Sequence, residues 1–275
     1  MKSCAAISTV YAMLLGLLSA THAADAPCRS LTPAQRAIAD SALRSVRIGP
    51  PCFSTVAACL DSAEHACPIA PRLQAFACWM ASVDKSLDDI VFELHARYAL
   101  VTDSVVHPIA PSPFPVAGDA DAPVMLTAYI GAHCPMCKEV VGELYHSVTR
   151  GALRGKARLR AKPFTVRMGD KALAAADSLG AFWNYFLALG KLHRRVEERD
   201  LHGIAQELDL DLAAFKRLMN DQSLHAMLEE SRREGRANGV TVTPTFFYNG
   251  HRYRGYKMPM WIEDAVEIVR ECDHR

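Results

Sequence analysis

A chain of 275 residues, half of them apolar and 22% charged, has material for one large or two modest folded domains. Its 31 Lys and Arg against 30 Asp and Glu leave a formal net charge of +1. That composition excludes disorder as the starting assumption. It also excludes nucleic acid and anionic membrane as partners, since both need clustered cations, and the one basic run, "RGALRGKARLR" at 150–160, reads as a solvated lead-in to a strand.

The chain opens on Met1-Lys2, an apolar stretch from Ala5 through "YAMLLGLLSA", and small residues at Thr21 and Ala23. This is the pattern of a secretory signal peptide, residues 1–23, and it predicts a mature protein that is periplasmic or secreted. The apolar run is short of the roughly 18 residues that a membrane span needs. Of the nine cysteines, cleavage removes Cys4 and leaves Cys28, Cys52, Cys59, Cys67, Cys78, Cys134, Cys137 and Cys272. An even set suits an oxidising compartment and disulfides, but the sequence does not give their connectivity.

Residues 24–106 read as a small all-α, cysteine-rich module. "TPAQ" at 32–35 joins a Thr N-cap, a Pro at the first helical position and a Gln three residues after the cap, the capping-box signature of a first helix that "PP" at 50 and 51 ends. Val56, Cys59 and Leu60 mark a second helical stretch and residues 70–83 a third. "SLDD" at 86–89 caps a fourth, whose Leu87, Ile90, Val91 and Leu94 recur at helical spacing. So small a module has little core, and Cys52, Cys59, Cys67 and Cys78 are read as its structural staples. Cys28 and Cys272, near the mature termini, are left to pair with each other, to pair with that module or to stay free.

"CPIAPRLQAFACWMASVDKSLDDIVFELHARY", 67–98, is similar to the helical domain of the CcmH family of cytochrome c maturation proteins, in its apolar helix, its Ser-Leu-Asp-Asp start and its Arg-Tyr finish. The resemblance implies that fold. The family's redox CxxC near the start of the module is missing here, so its activity is not implied. The module's position makes it a candidate for dimerisation or partner docking, while the oligomeric state is not written in the sequence.

Prolines at 108, 111, 113, 115 and 123 prevent helix and predict an extended, semi-rigid linker over residues 107–123. A second domain, 124–275, follows. "PVMLTAYI" reads as a strand and leads at once into "CPMC" and an amphipathic helix through about Thr149. "ARLRAKPFTVR" reads as a second strand, and residues 170–238 as a block of helices. "TPTFFYNGHRYRGY" has the form of a hairpin turning at Asn249-Gly250, and a last helix covers 259–271. Strand, helix, strand, helical block, hairpin, helix is the α/β order of a thioredoxin fold with a helical insertion.

A CxxC between a strand and a helix sets Cys134 at the helix N-terminus, where unpaired N–H groups and the helix dipole stabilise a thiolate. Pro135 suits the first turn, which needs no N–H from that position. Cys137, one turn further in, is placed to attack a mixed disulfide formed at Cys134. Downstream, Thr243-Pro244 opens a strand, and a cis peptide there leaves the Thr243 backbone free to pair with an extended substrate. An edge-strand proline is the plainer reading of Pro244 by itself, and the upstream CxxC makes it the weaker one.

With these residues in place, 118–270 resemble the DsbA-like thioredoxin-fold family, through "GDADAPVMLTAYIGAHCPMC", "IAQELDLDLAAFKRLM" and "GVTVTPTFFYNG". The resemblance implies an exported thiol–disulfide oxidoreductase with Cys134 as nucleophile, Cys137 as resolving thiol and Pro244 as the neighbouring cis-proline. Strongly oxidising members carry His in the middle dipeptide, where this chain has apolar Met136, so a milder oxidant is expected. His133, just before Cys134, is a candidate to compensate as an imidazolium, against the reading of a partly exposed loop histidine. Several relatives place an acid six residues before the nucleophile, where this chain has Ala128. Thr243 before the proline resembles the isomerase and reductase branches.

The implied partners are cysteine-containing exported proteins and a membrane or soluble redox partner. No dissociable cofactor or resident metal is required, because the cysteine pair carries the electrons. The alternative is a Cu(I)-binding, metallochaperone-like protein using the same two thiols. A closed zinc site is disfavoured: no second CxxC or HxxxH exists, His193 and His202 stand nine apart, and His107, His146, His225, His251 and His274 are isolated. A purely structural Cys134–Cys137 bridge is poorly motivated, since so small a ring constrains the unfolded chain little. "FWNYF" at 182–186 carries aromatics at helical spacing that could line a substrate groove, and core packing is the more common explanation.

Overall fold

The computed structural model describes residues 28–49, 52–61, 69–102, 104–192 and 196–272. The signal peptide assigned to 1–23, the Pro50-Pro51 pair and Cys67 lie outside them. The chain divides into two compact units that meet in sequence between Ala99 and Leu100.

In the first unit, α1 (Pro33–Ser45) begins at the capping box read from the sequence. Thr32 Oγ1 accepts the Gln35 N–H at 3.3 Å, and Gln35 Oε1 accepts the Thr32 N–H at 3.1 Å. The helix ends at Ser45, before the prolines expected to stop it. A two-stranded antiparallel ribbon, β1 (Arg47–Ile48) and β2 (Ser54–Thr55), takes the intervening chain. Strands of two residues carry no readable period, which is why this ribbon was not foreseen. α2 (Val56–Leu60), α3 (Ile69–Ser82) and α4 (Leu87–Thr102) follow close to the expected places. Leu43, Val56, Leu73, Phe76 and Met80 bury the faces where α1, α2 and α3 meet, and the Arg97 guanidinium lies 4.2 Å from the Phe76 ring centroid.

Disulfides join Cys28 to Cys78 and Cys52 to Cys59. The staple at Cys78 is thus closed by Cys28, 50 residues away, and this excludes a Cys28–Cys272 link. A bridge of that span ties the start of the described chain to α3.

In the second unit, β3 (Val124–Ile130) pairs in parallel with β4 (Ala157–Pro163), and β5 (Thr245–Tyr248) pairs antiparallel with β3. β6 (His251–Arg252) closes the sheet in the order β4-β3-β5-β6. Only Met125 of β3 is not fully buried, as a central strand covered on both faces requires. Parallel β3 and β4 need a crossover, supplied by a π-helical turn, Cys137–Val141, running straight into α5 (Gly142–Arg150). Between β4 and β5 the chain inserts α6 (Met168–Ser178), α7 (Phe182–Gly190), α8 (Glu198–Glu207), α9 (Leu212–Met219) and α10 (Gln222–Ala237), and after the hairpin comes α11 (Pro259–Cys272). Asn249 and Gly250 turn the hairpin with φ of 48° and 90°, the left-handed conformations such a turn needs. The aromatics of "FWNYF" are core: Phe182, Trp183, Tyr185 and Phe186 are buried in the cluster that spans the sheet and the insertion.

The proline-rich stretch is extended and packs on this second unit. Phe114 is buried, and Ala117 exchanges two backbone hydrogen bonds with Leu159, at 2.9 and 2.8 Å, along the free edge of β4. A side of the sheet otherwise open to another chain's strand is thereby occupied. Nearby, buried Lys162 and partly buried Glu234 form an ion pair at 2.5 Å. Lys162 Nζ also donates to the Ala110 carbonyl at 3.0 Å, while Glu234 Oε1 accepts the Ala110 N–H at 2.6 Å.

Candidate active site

β3 ends at Ile130 and the chain makes a tight turn, Gly131 to His133, closed by the Cys134 N–H donating to the Gly131 carbonyl at 2.9 Å. Helix begins at Pro135, so Cys134 occupies the N-terminal boundary and Cys137 lies within the π-helical turn. Cys134 is partly exposed, Cys137 is fully buried, and both thiols are free. The Cys137 N–H points at Cys134 Sγ at 3.3 Å. Cys134 Sγ also lies 3.4 Å from the Thr243 carbonyl oxygen, and the Thr243-Pro244 peptide is cis.

These contacts split the two thiols electronically. Cys134 is brought down from its ordinary 9 to about 6, chiefly by the Cys137 thiol donating to it, and further by the Cys137 N–H, the Thr243 hydroxyl and the Met136 N–H. Burial pushes Cys137 strongly upward, and the neighbouring Cys134 adds to the shift. One sulfur is therefore a thiolate at neutral pH while the other keeps its proton.

Pro135 is exposed in the first turn, and Met136, 49% exposed, adds an apolar surface beside Cys134. Val242, the neighbour of Thr243, is likewise exposed. Ala128 is buried in β3, so that strand brings no acid behind the pair. The His133 ring lies over the first turn of α6, where a Cβ on Gly169 would come within 2.5 Å of it.

Three charged groups at the site were not singled out from the sequence. Lys138 is buried with its Nζ donating to the Leu192 carbonyl at 2.6 Å, and Lys257, in the segment before α11, is near enough to both sulfurs to feel their charge. Burial lowers both lysines and a thiolate at Cys134 raises them, so the two cations favour that thiolate. The third is Asp170, fully buried, whose Oδ1 accepts the Ala132 N–H at 2.8 Å. Its sequence signal was only that of an acid in the first turn of a helix. Among the described residues no cluster of three or more His, Cys, Asp or Glu is arranged to hold a metal ion.

Several known proteins resemble this chain. Over 153 residues it is 32% identical to a Na(+)/H(+) antiporter NhaA 1 of Salinispora arenicola, covering 54% of this chain and 23% of that protein. Over 196 residues it is 32% identical to an NhaA 3 of Salinispora tropica, covering 64% and 30%. The chain thus spans under a third of the length of these curated relatives. Among solved structures, a thioredoxin-like oxidoreductase from Silicibacter pomeroyi superposes with TM-score 0.51 at 22% identity, over 63% of this chain and 97% of that one. DsbA of Chlamydia trachomatis superposes with TM-score 0.50 at 17% identity, over 61% and 97%. These likenesses show the fold, a thioredoxin sheet with a helical insertion. The thioredoxin family model matches residues 113–267, more than half of the chain, and the chain belongs to that family.

Proposed function

We propose that this chain is an exported thiol–disulfide oxidoreductase acting on cysteine-containing proteins, leaning to isomerase, reductase or mild oxidase. The observation that carries it is the unequal pair: a half-exposed, acidified Cys134 three residues from a buried, protonated Cys137, with the Thr243 carbonyl 3.4 Å from the nucleophile. The Cys134 thiolate attacks a substrate disulfide, forming a mixed disulfide and expelling one substrate thiolate. Cys137 then attacks Cys134 Sγ, its proton passes to the second departing substrate sulfur, and two electrons have moved from the pair to the substrate. The reverse sequence makes substrate disulfides. Thr243 and Pro244 are the proposed substrate-pairing residues, and exposed Met136 and Val242 offer an apolar, adaptable rim for an unfolded segment.

Export rests on the signal pattern at 1–23, and a disulfide-bonded first unit suits an oxidising compartment. Residues 24–106 would serve as the docking or dimerisation module and 107–123 as its connection to the catalytic domain, 124–275. Sodium–proton exchange is no part of this reading, because the chain spans 23% and 30% of the antiporters, and no described helix is long and apolar enough to cross a membrane.

Equilibration of the mature protein with graded glutathione buffers, with the Cys134–Cys137 peptide followed by alkylation and mass spectrometry, tests the proposal. A midpoint between about −180 and −270 mV is expected, whereas one near about −120 mV would mark a disulfide donor. A pair that never cycles between dithiol and disulfide overturns it.

A further inference from the structure

Behind the redox turn, the loop after β3 and the loop after β4 meet on one carboxyl group. Asp170 sits in the first turn of α6 and is fully buried. Its Oδ1 accepts the N–H of Ala132, two residues before Cys134, at 2.8 Å. Its Oδ2 accepts the Arg167 N–H at 3.0 Å and is bonded to the Thr165 hydroxyl. The Thr165 and Thr243 hydroxyls both lie close to Gly131, where an added Cβ would stand 3.3 Å and 3.5 Å from their Oγ1 atoms. The residue before Asp170 is Gly169, and the absence of a Cβ there lets the His133 imidazole lie against α6.

We propose that Asp170 is a positioning residue of the redox site, holding the turn that carries Cys134 through the Ala132 N–H and holding the His133 imidazole beside the nucleophile. The inference deepens the thiol–disulfide exchange reading and rests on it. Burial holds the Asp170 carboxyl above the ordinary carboxylate range, and the donors on both its oxygens and the nearby His133 offset part of that rise. An acid in this helical position also caps α6 through Arg167, so a purely structural role is the rival to be separated. The other groups facing Cys134 are Cys137 and Lys138 from its own helix, Thr243 ahead of β5, and Lys257 ahead of α11, and none of them touches Asp170 through a hydrogen bond.

The test is the pH profile of Cys134 alkylation by iodoacetamide in reduced full-length protein, with Tm measured alongside. Alkylation reads the thiolate whether or not the pair exchanges with substrates, so failure of the oxidoreductase reading would leave this test intact. In Asp170→Asn, an oxygen remains for the Ala132 N–H but the ionisable carboxyl near His133 is gone. The profile is expected to move to higher pH, with alkylation about threefold slower near pH 6. In a His133→Gln background the same substitution is expected to change nothing further. A profile coincident with the parent's, with or without a fall in Tm, overturns the proposal and leaves Asp170 as a helix cap. An undiminished shift in the His133→Gln background overturns the coupling through His133. Should Asp170→Asn fail to fold, His133→Gln alone decides: the same slowing supports the proposal, and parental alkylation overturns it.

Discussion

Cys134 Sγ lies 3.4 Å from the carbonyl oxygen of Thr243, joining two loops 109 residues apart in the chain. The contact puts the nucleophile against the backbone that would pair with a substrate strand. On the proposed function, attack and substrate alignment would occur at one place.

The Cys137 thiol is the largest cause of the acidity of Cys134. Cys137→Ala is therefore expected to shift the pH profile of Cys134 alkylation upward from about 6, while mixed disulfides with substrate proteins accumulate because nothing resolves them. Non-reducing gels and alkylation rates measure both. Cys134→Ala is expected to leave Cys137 almost unreactive to iodoacetamide, since that thiol is buried and its acidity is suppressed.

Acidified Cys134 also links stability to pH in the reduced protein. Its folded value, about 6, lies below its ordinary 9, so between these the unfolded chain binds a proton that the native state does not. The contribution is fully present above pH 9 and is lost as pH falls through 6. Thermal melts of reduced parent and Cys134→Ala across this window are expected to show a difference in Tm that grows in the parent's favour as pH rises. A constant difference would remove the linkage.

Lys162 and Glu234 share their charges out of water and hold Ala110 from both sides. Lys162→Ala strands the Glu234 carboxylate and is expected to cost about 3–5 kcal/mol by urea denaturation. Replacing the pair together, Lys162→Met with Glu234→Leu, is expected to recover most of that loss, because two apolar side chains need no partner.

In the first unit, the Cys28–Cys78 bridge closes a loop of 50 residues. Chain-entropy arguments give such a cross-link a stabilisation of about 4 kcal/mol. Cys28→Ser with Cys78→Ser in the full chain is expected to raise hydrogen exchange across α1 and α3 and to leave β3 to β5 unaffected, as two separate units require. Exchange that rises equally in both would contradict that independence.

Much of the site was legible because its signals are local. The helix that starts after Thr32, the Asn249-Gly250 turn and the placing of Cys134 at a helix N-terminus each depend on hydrogen bonds or dihedral preferences within a few residues, and a sequence displays these directly. The apolar pattern of β3 and the period of the insertion likewise determined the strand and helix order, hence the thioredoxin class. What only the tertiary structure decided was everything that joins distant residues. Cys28 reaches Cys78 across 50 residues, Asp170 reaches Ala132 across 38, and Lys257 comes near the sulfurs from the far end of the chain. None of these has a spacing to read, since each depends on how packed elements bring side chains together. The acidity of Cys134 combines both levels: the Cys137 and Met136 N–H groups come with its helix position from the local sequence, while the burial of the Cys137 thiol and the approach of Thr243 come from the packed fold.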